Sequence, residues 1–481
     1  MNIPRKSARV NSVAVIGNHL PRQCGIATFT TDLCDALAGE FDREGRVEAL
    51  AMDDIDGGYA YPPRVTFQVR ANTPTDYRQA VDYINVKQFD LVILQHEYGI
   101  FGGPYGAYIL SLIKNLSMPV ITTLHTVLQD PTEEQTSIMM DLARYSDRLV
   151  VMSTKAYDIL ESTYDIPSSK VAHIPHGIFD VPFIDPSFYK DSFGVEGRKV
   201  ILTFGLLSPG KGIEYAIEAM PRVIDEHPDA VYIILGATHP HIKRTKGEAY
   251  RHSLQQRVVK LGIENNVMFH NRFVPVQLLV KYIGASDLYV TPYLNKEQIT
   301  SGTLAYALGT GKAVVSTPYW YAEELLGDQR GVLVPFRDSE KLGDEISGLL
   351  SDDVRRNAMR KKAYQWCRPM IWKEVARSYL TLAGEVIEER IRTPKPRPVI
   401  TTSHEDLELP EVDLKHLRTL TDDTGVLSYA HFATPDRSHG YSLSGNALAL
   451  VAASMAGNIL QDTSLTWLMQ RYLAFIFHSF D

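Results

Sequence analysis

The sequence predicts an α/β protein: two doubly wound, parallel-sheet domains followed by a helical extension. Three observations predict it. Short apolar runs alternate with amphipathic stretches over most of the chain, the pattern of repeated strand–helix–strand units. The runs, such as "LVILQ" (91–95) and "VITTL" (120–124), are continuous rather than alternating, as in strands covered on both faces. A chain of 481 residues also exceeds what one ordinary core organises.

In the first half, strands are expected at 12–17, 47–52, 90–95, 119–124 and 148–152, and helices at 28–39, 75–85, 104–115, 131–145 and 155–164. "SVAVIG" reads as the first buried strand. The N-terminus is basic but lacks the apolar core of a secretory signal. The alternation pauses at 179–200, where Pro182 and Pro186 punctuate strand-poor turns, so domains are drawn at 1–184 and 185–374. It restarts with strands at 200–205, 230–236, 266–270, 287–293, 312–318 and 331–336, with a helix from Lys211. A long helical segment covers 341–391. The linker 393–411 is Pro-rich, then acidic, and reads as extended. Residues 412–481 read as helical. "NALALVAASMAGNIL" and "YLAFIFHSF" are apolar on more than one face, so the extension must pack on its own chain or on a second copy, as in a homo-oligomer.

Composition narrows the class. Hydrophobic residues make 44% and charged residues 22% of the chain, as in ordinary globular proteins. The net charge of −8, from 49 basic and 57 acidic residues, argues against a nucleic-acid partner, which needs a basic face. Cys24, Cys34 and Cys367 lack metal-binding spacing, and so sparse a set fits a reducing cytoplasm. No apolar run is expected to reach the ~18 residues of a membrane span.

In doubly wound sheets, ligands bind at the carboxyl ends of strands, so the loops there carry the chemistry. After the first strand, Gly25 opens a Thr-rich helix whose free N–H groups suit an anion; a plain capped helix is the alternative. His96, Glu97 and Tyr98, with Gly102 and Gly103 behind them, offer a ring and polar groups for a carbohydrate, or else form a surface loop with a satisfied histidine. His125 follows the next strand; a lone histidine there is more often structural. His176 stands at the edge of the expected interdomain cleft. Lys211 sits between two glycines at a helix start, where it can reach a phosphate, although the spacing is not that of a Walker A loop. In "SGTLAYALGTG", Ser301 or Thr300 caps a helix, and the amides of Ser301, Gly302 and Thr303 point at one spot. Gly302 would let a ligand approach closely. Two anion sites on one cleft suggest a diphosphate.

Taken in order, residues 18–29, His125, "IPHGI" (174–178), "FGLLSPGKG" (204–212), "ASDLYVTPY" (285–293), "SGTLAYALGTGKAVVSTP" (301–318) and "GVLVPFRDSEKL" (331–342) resemble a retaining glycosyltransferase of the GT-B fold, family 4 (group 1) type, over about 10–390. The resemblance implies two Rossmann-like domains, with a closing helix (375–392) that crosses back to the first. It also implies a nucleoside-diphosphate sugar on the second domain, a carbohydrate acceptor on the first, and no metal cofactor. On that reading His125 and Lys211 are catalytic. Gly25, Gln298, Ser301, Gly302, Thr303 and Tyr306 hold the donor, and His96, Glu97, Tyr98 and His176 the acceptor. Gln298 and Tyr306 stand where the family usually carries two acids, and Leu206 where it carries an arginine. The last segment resembles the start of an α/α helical domain attached to some such bacterial proteins.

Two rivals stand beside this reading. A phosphorolytic enzyme on the same fold would require inorganic phosphate in turnover. A sugar- or nucleotide-sensing pseudoenzyme is motivated by the missing acids. A dehydrogenase does not fit, because no G-x-G-x-x-G follows a strand.

Overall fold

A computed structural model of the protein describes residues 10–41, 45–55, 57–394 and 412–480. The first domain is built on seven parallel strands: β1 (Ser12–Gly17), β2 (Arg46–Asp53), β3 (Val65–Arg70), β4 (Leu91–His96), β5 (Val120–Leu124), β6 (Arg148–Val151) and β7 (Val171–His173). Their order is β3-β2-β1-β4-β5-β6-β7. The second sheet has β8 (Lys199–Phe204), β9 (Ala230–Leu235), β10 (Val267–His270), β11 (Leu288–Thr291), β12 (Ala313–Ser316) and β13 (Val332–Leu333), ordered β10-β9-β8-β11-β12-β13. In each sheet the order reverses beside the first strand, so the following loops diverge and leave a crevice. In the second domain, the loops after β8 and β11 flank that point.

β1, β4, β5, β9, β11 and β12 are buried along their whole length, which is why they read as unbroken apolar runs. β3 was not expected. Val65, Phe67 and Val69 alternate with Thr66, Gln68 and Arg70, the signature of an edge strand with one polar side. β7, only three residues long, was not expected either. The segment at 341–391 divides into helices Ser339–Ser351, Asp353–Trp366 and Trp372–Arg392. Asp352 caps the second, and Pro369 interrupts the way to the third.

Helix Trp372–Arg392 returns to the first domain. Val375, Ala376, Tyr379, Leu382, Ala383 and Val386 share a core with Val13, Val15, Phe29 and Leu33. The Tyr379 and Thr123 hydroxyls are 2.8 Å apart. Apart from Thr393 and Pro394, the expected linker lies outside the described residues.

The extension holds helices Lys415–Leu420, Leu443–Leu460 and Thr466–His478 and a small hairpin, β14 (Ala430–His431) and β15 (Thr434–Pro435). It docks on its own chain, at the β3 edge of the first domain. Lys415 pairs with the buried carboxylate of Asp76. The Phe432 ring meets Tyr83 edge-on at 4.7 Å and lies 4.8 Å under the Lys87 ammonium. One expectation needs correction here. Leu443–Leu460 is long and apolar enough to cross a membrane by length and composition, with mean hydropathy 1.4. Interleaved Ser, Gly and Asn disguise it as a polar-punctuated stretch. One face of this helix, Ala449, Ala453 and Ala456, packs on Leu465, Leu468 and Tyr472.

Candidate active site

The crevice of the second domain is lined by the loop after β8, the loop after β11 and the start of helix Gly302–Gly309. Ser301 caps that helix, its hydroxyl accepting from the Leu304 N–H at 3.4 Å. No acid occupies the first turn, so the amide-rich end keeps its partial positive charge. Lys211 closes a 3₁₀ turn, Pro209–Lys211, on the other side. Its ammonium lies 3.7 Å from the centroid of the Tyr293 ring, and among the described residues no carboxylate pairs with it. The Tyr293 and Thr303 hydroxyls are 2.8 Å apart, and those of Thr303 and Ser301 are 3.2 Å apart. Burial pushes the Tyr293 hydroxyl up. The Lys211 charge and the bonds from Lys211, Thr303 and Ser301 outweigh it and hold the group below the usual tyrosine range. The arrangement is an anion cradle: one uncompensated cation facing one helix N-terminus.

Gly25 opens helix Gly25–Glu40 from the first domain and has open space where a side chain would stand. The cap is the thiol of Cys24, which accepts from the Ala27 N–H at 3.3 Å. Below it, Phe29 gathers three aromatic groups edge-on: His125 at 4.9 Å, His176 at 5.1 Å and Trp372 at 5.1 Å. Sequence separation hides this cluster, because its members lie on four distant segments.

Burial holds His125 down to about 3 and His176 down to about 4, so both are neutral at physiological pH. His125 Nε2 is 2.9 Å from the Gln95 side-chain oxygen. Neutral rings of this kind hydrogen-bond hydroxyls but carry no charge.

Several expected residues stand elsewhere than their motifs implied. The His96 ring is fully buried, stacked on Phe101 with both nitrogens unpartnered, and burial lowers its pKa to about 3. It and Tyr98, also buried, belong to the domain interior in this conformation and do not face an acceptor. Glu97 accepts from the Thr126 hydroxyl and from the Tyr98 N–H, and burial raises its pKa. Gln298 turns back on its own loop, donating to the Thr300 carbonyl at 2.9 Å. Tyr306 is buried, stacked on Phe179 at 4.3 Å, and its hydroxyl donates to Asp32 of the first domain. It is thus not free at an open ribose face. The space a side chain at Gly302 would fill is taken by the His176 ring, 2.8 Å away, rather than left to a ligand.

Further residues that join the domains lie outside every expected motif. Glu324 reaches across to the N-terminus of helix Thr154–Tyr164 and accepts from the Thr154 N–H at 2.9 Å and 3.1 Å. Arg244 pairs with Asp54 at 3.1 Å, and Lys155 lies over the Trp320 ring. Ile299, just ahead of the Ser301 cap, is buried in the core of the first domain. Such pairs join distant segments, and no local motif marks them.

Comparison with known proteins bears on this geometry. Residues 24–179 match the model of Glycosyltransferase Family 4, and residues 187–366 that of Glycosyl transferases group 1. The phosphatidyl-myo-inositol mannosyltransferase of Mycolicibacterium smegmatis is 23% identical over 283 residues, 57% of this chain and 68% of that protein. The D-inositol 3-phosphate glycosyltransferase of Corynebacterium glutamicum is 25% identical over 293 residues, 56% of this chain and 67% of that protein. Among solved structures, Anabaena HepE in complex with UDP superposes with a TM-score of 0.61 at 16% identity, covering 78% of this chain and all of that one. Sucrose-phosphate synthase from Thermosynechococcus elongatus gives 0.63 at 16% identity, covering 79% of this chain and all of that one. With both domains matched in order on two doubly wound sheets, the chain belongs to the group 1, family 4 glycosyltransferases and has their GT-B fold.

Proposed function

We propose that the chain is a retaining hexosyltransferase of the cytoplasm. It would take its sugar from a nucleoside diphosphate of the UDP-glucose or GDP-mannose kind and pass it to a sugar or glycan acceptor, without a metal. The observation that carries this reading is the cradle: the Lys211 ammonium, which no carboxylate pairs among the described residues, and the acid-free N-terminus of helix Gly302–Gly309 are joined through Tyr293 and Thr303. That pairing suits a departing diphosphate, whose growing charge such groups stabilise more than they stabilise the ground state. Structural neighbours solved with UDP and with UDP-glucose, and relatives named for mannosyl and glycosyl transfer, support a nucleotide sugar.

The chemistry follows from the groups at hand. Lys211 and the Ser301–Thr303 amides would take up the charge on the leaving phosphate. Neutral His125 would orient a sugar hydroxyl from the opposite wall, and Gly25 leaves room for the donor at the start of its helix. Gln298 would reach sugar hydroxyls once released from the Thr300 carbonyl. Attack on the donor face that the diphosphate leaves, with a phosphate oxygen receiving the acceptor proton, fits retention. The test is turnover of UDP-glucose and of GDP-mannose against a panel of sugar acceptors in excess chelator. Multiple turnovers with one donor support the proposal, and none with either donor overturns it.

One observation favours a second reading, a nucleotide-sensing pseudoenzyme. Gln298 and Tyr306, which replace the family's acids, are both engaged within the protein. Nucleotide binding without any turnover would favour it.

A further inference from the structure

Lys211 and helix Gly302–Gly309 lie on separate loops, and Tyr293 is the group that touches both. Its ring is 1% exposed and stacks on Tyr319 with centroids 5.3 Å apart. Its backbone carbonyl accepts from the Thr317 hydroxyl at 2.5 Å. The neighbouring Leu294 N–H donates to Gly210 O at 3.0 Å, and Gly212 leaves no room for a side chain against Pro292 O. The loops after β8 and β11 are therefore pinned together on both sides of the ring.

A tyrosine that merely filled the core would account for the burial and the stack. It would not account for an ammonium placed 3.7 Å above its face with no carboxylate paired to it among the described residues. A carboxylate would hold that lysine more firmly but would cancel its charge. A π face holds it and leaves the charge for an incoming anion. The same residue's hydroxyl meets Thr303 in the first turn of the helix whose amides form the other half of the cradle.

We infer that Tyr293 is a positioning residue for diphosphate binding: its ring seats the Lys211 ammonium, and its hydroxyl fixes that seat relative to Thr303. The inference rests on the donor reading proposed above and specifies how that site is held. Tyr293 itself is placed behind the cradle and acts through Lys211 and Thr303.

The test is calorimetric titration of UDP and of GDP into the full chain, with uridine and guanosine as controls, for wild type, Tyr293→Phe, Thr303→Val, their double variant, Tyr293→Leu and Lys211→Ala. Tyr293→Phe and Thr303→Val break the same bond from opposite ends. Each is expected to weaken diphosphate binding ~2–10-fold, and the double variant no further. Tyr293→Leu, which removes the seat, should approach the loss seen in Lys211→Ala. Nucleoside binding should be unchanged throughout. Wild-type affinity in Tyr293→Phe, losses that add in the double variant, or an equal loss for the nucleosides would overturn the inference. If Lys211→Ala itself keeps wild-type affinity, or neither diphosphate binds wild type, the donor reading falls instead. Tyr293→Phe and Thr303→Val remove only a hydroxyl or exchange it for a methyl, so the test stands even if Tyr293→Leu does not fold.

Discussion

The hydroxyl of Tyr306, on the second domain, donates to the carboxylate of Asp32, on the first, at 2.9 Å. Burial raises the Asp32 pKa to about 7, against the smaller lowering effect of that hydrogen bond. Tyr306 is packed between Phe179 and the His176 ring, so the bond joins helix Gly25–Glu40 to helix Gly302–Gly309 at the base of the cleft. At Tyr306 the chain has a bridge between its domains.

The bridge has a pH signature. The folded Asp32 keeps its proton up to about 7, whereas its unfolded counterpart loses it near 4, so the native state binds more protons in that interval. Its contribution to stability is therefore fully present below about pH 4, is lost as pH rises to about 7, and is flat above. Asp53, raised to about 6 by burial, acts in the same direction. Melting temperatures of Asp32→Asn measured from pH 4 to 8 should decline less steeply than those of wild type. Parallel curves would show that Asp32 does not titrate as described.

Glu324 caps a helix of the other domain. Glu324→Ala is expected to cost ~1 kcal/mol, the usual worth of an N-terminal cap. Calorimetric melting should show the loss, and Glu324→Gln, which keeps an acceptor but not the charge, should recover part of it. A melting temperature unchanged in Glu324→Ala would mean the contact contributes nothing to closure.

Gly302→Ala places a methyl against His176, which Phe29 and Trp372 hold in place. Overpacking of this kind costs ~1–3 kcal/mol. The variant should melt lower and also bind UDP or GDP more weakly, because Gly302 is the first residue of the helix whose amides form half of the cradle. Wild-type values for both would show that the ring yields freely.

The extension should come away from the β3 edge when Phe432 and Lys415 are replaced by alanine, since these side chains meet Tyr83, Lys87 and Asp76. Hydrogen exchange across Val65–Arg70 and Pro74–Lys87 reads this directly. Protection there should fall in the double variant, and unchanged protection would mean that other contacts carry the docking.

The parallel strands and the Ser301 cap were legible because their causes are local: a buried strand needs an apolar run, and a helix start needs a hydroxyl and free amides. β3 was hidden by its alternation, because an edge strand keeps one polar side. The turn that carries Lys211 was legible from its flanking glycines, but the seat on Tyr293 was not, because the expected strand ran through 287–293 whereas the observed one ends at Thr291 and leaves Tyr293 in the loop. His96 was misjudged because its place at the end of a strand says nothing about which way the ring turns. The joins between domains, Tyr306 with Asp32 and Glu324 with Thr154, link segments 170 or more residues apart, beyond the reach of any spacing rule.

On the proposed function, Lys211 serves a diphosphate leaving group. The most direct measurement is the release of nucleoside diphosphate from UDP-glucose and GDP-mannose, with sugar acceptors and excess chelator, by wild type and by Lys211→Ala. Loss of one charge-assisted contact is worth ~1.5–3 kcal/mol, roughly one to two decades in rate. Multiple turnovers by wild type with one of the donors are expected, with a fall of that size in the variant, whose melting temperature stays near wild type. Equal rates in the two proteins, or no turnover by wild type with either donor, would contradict this role.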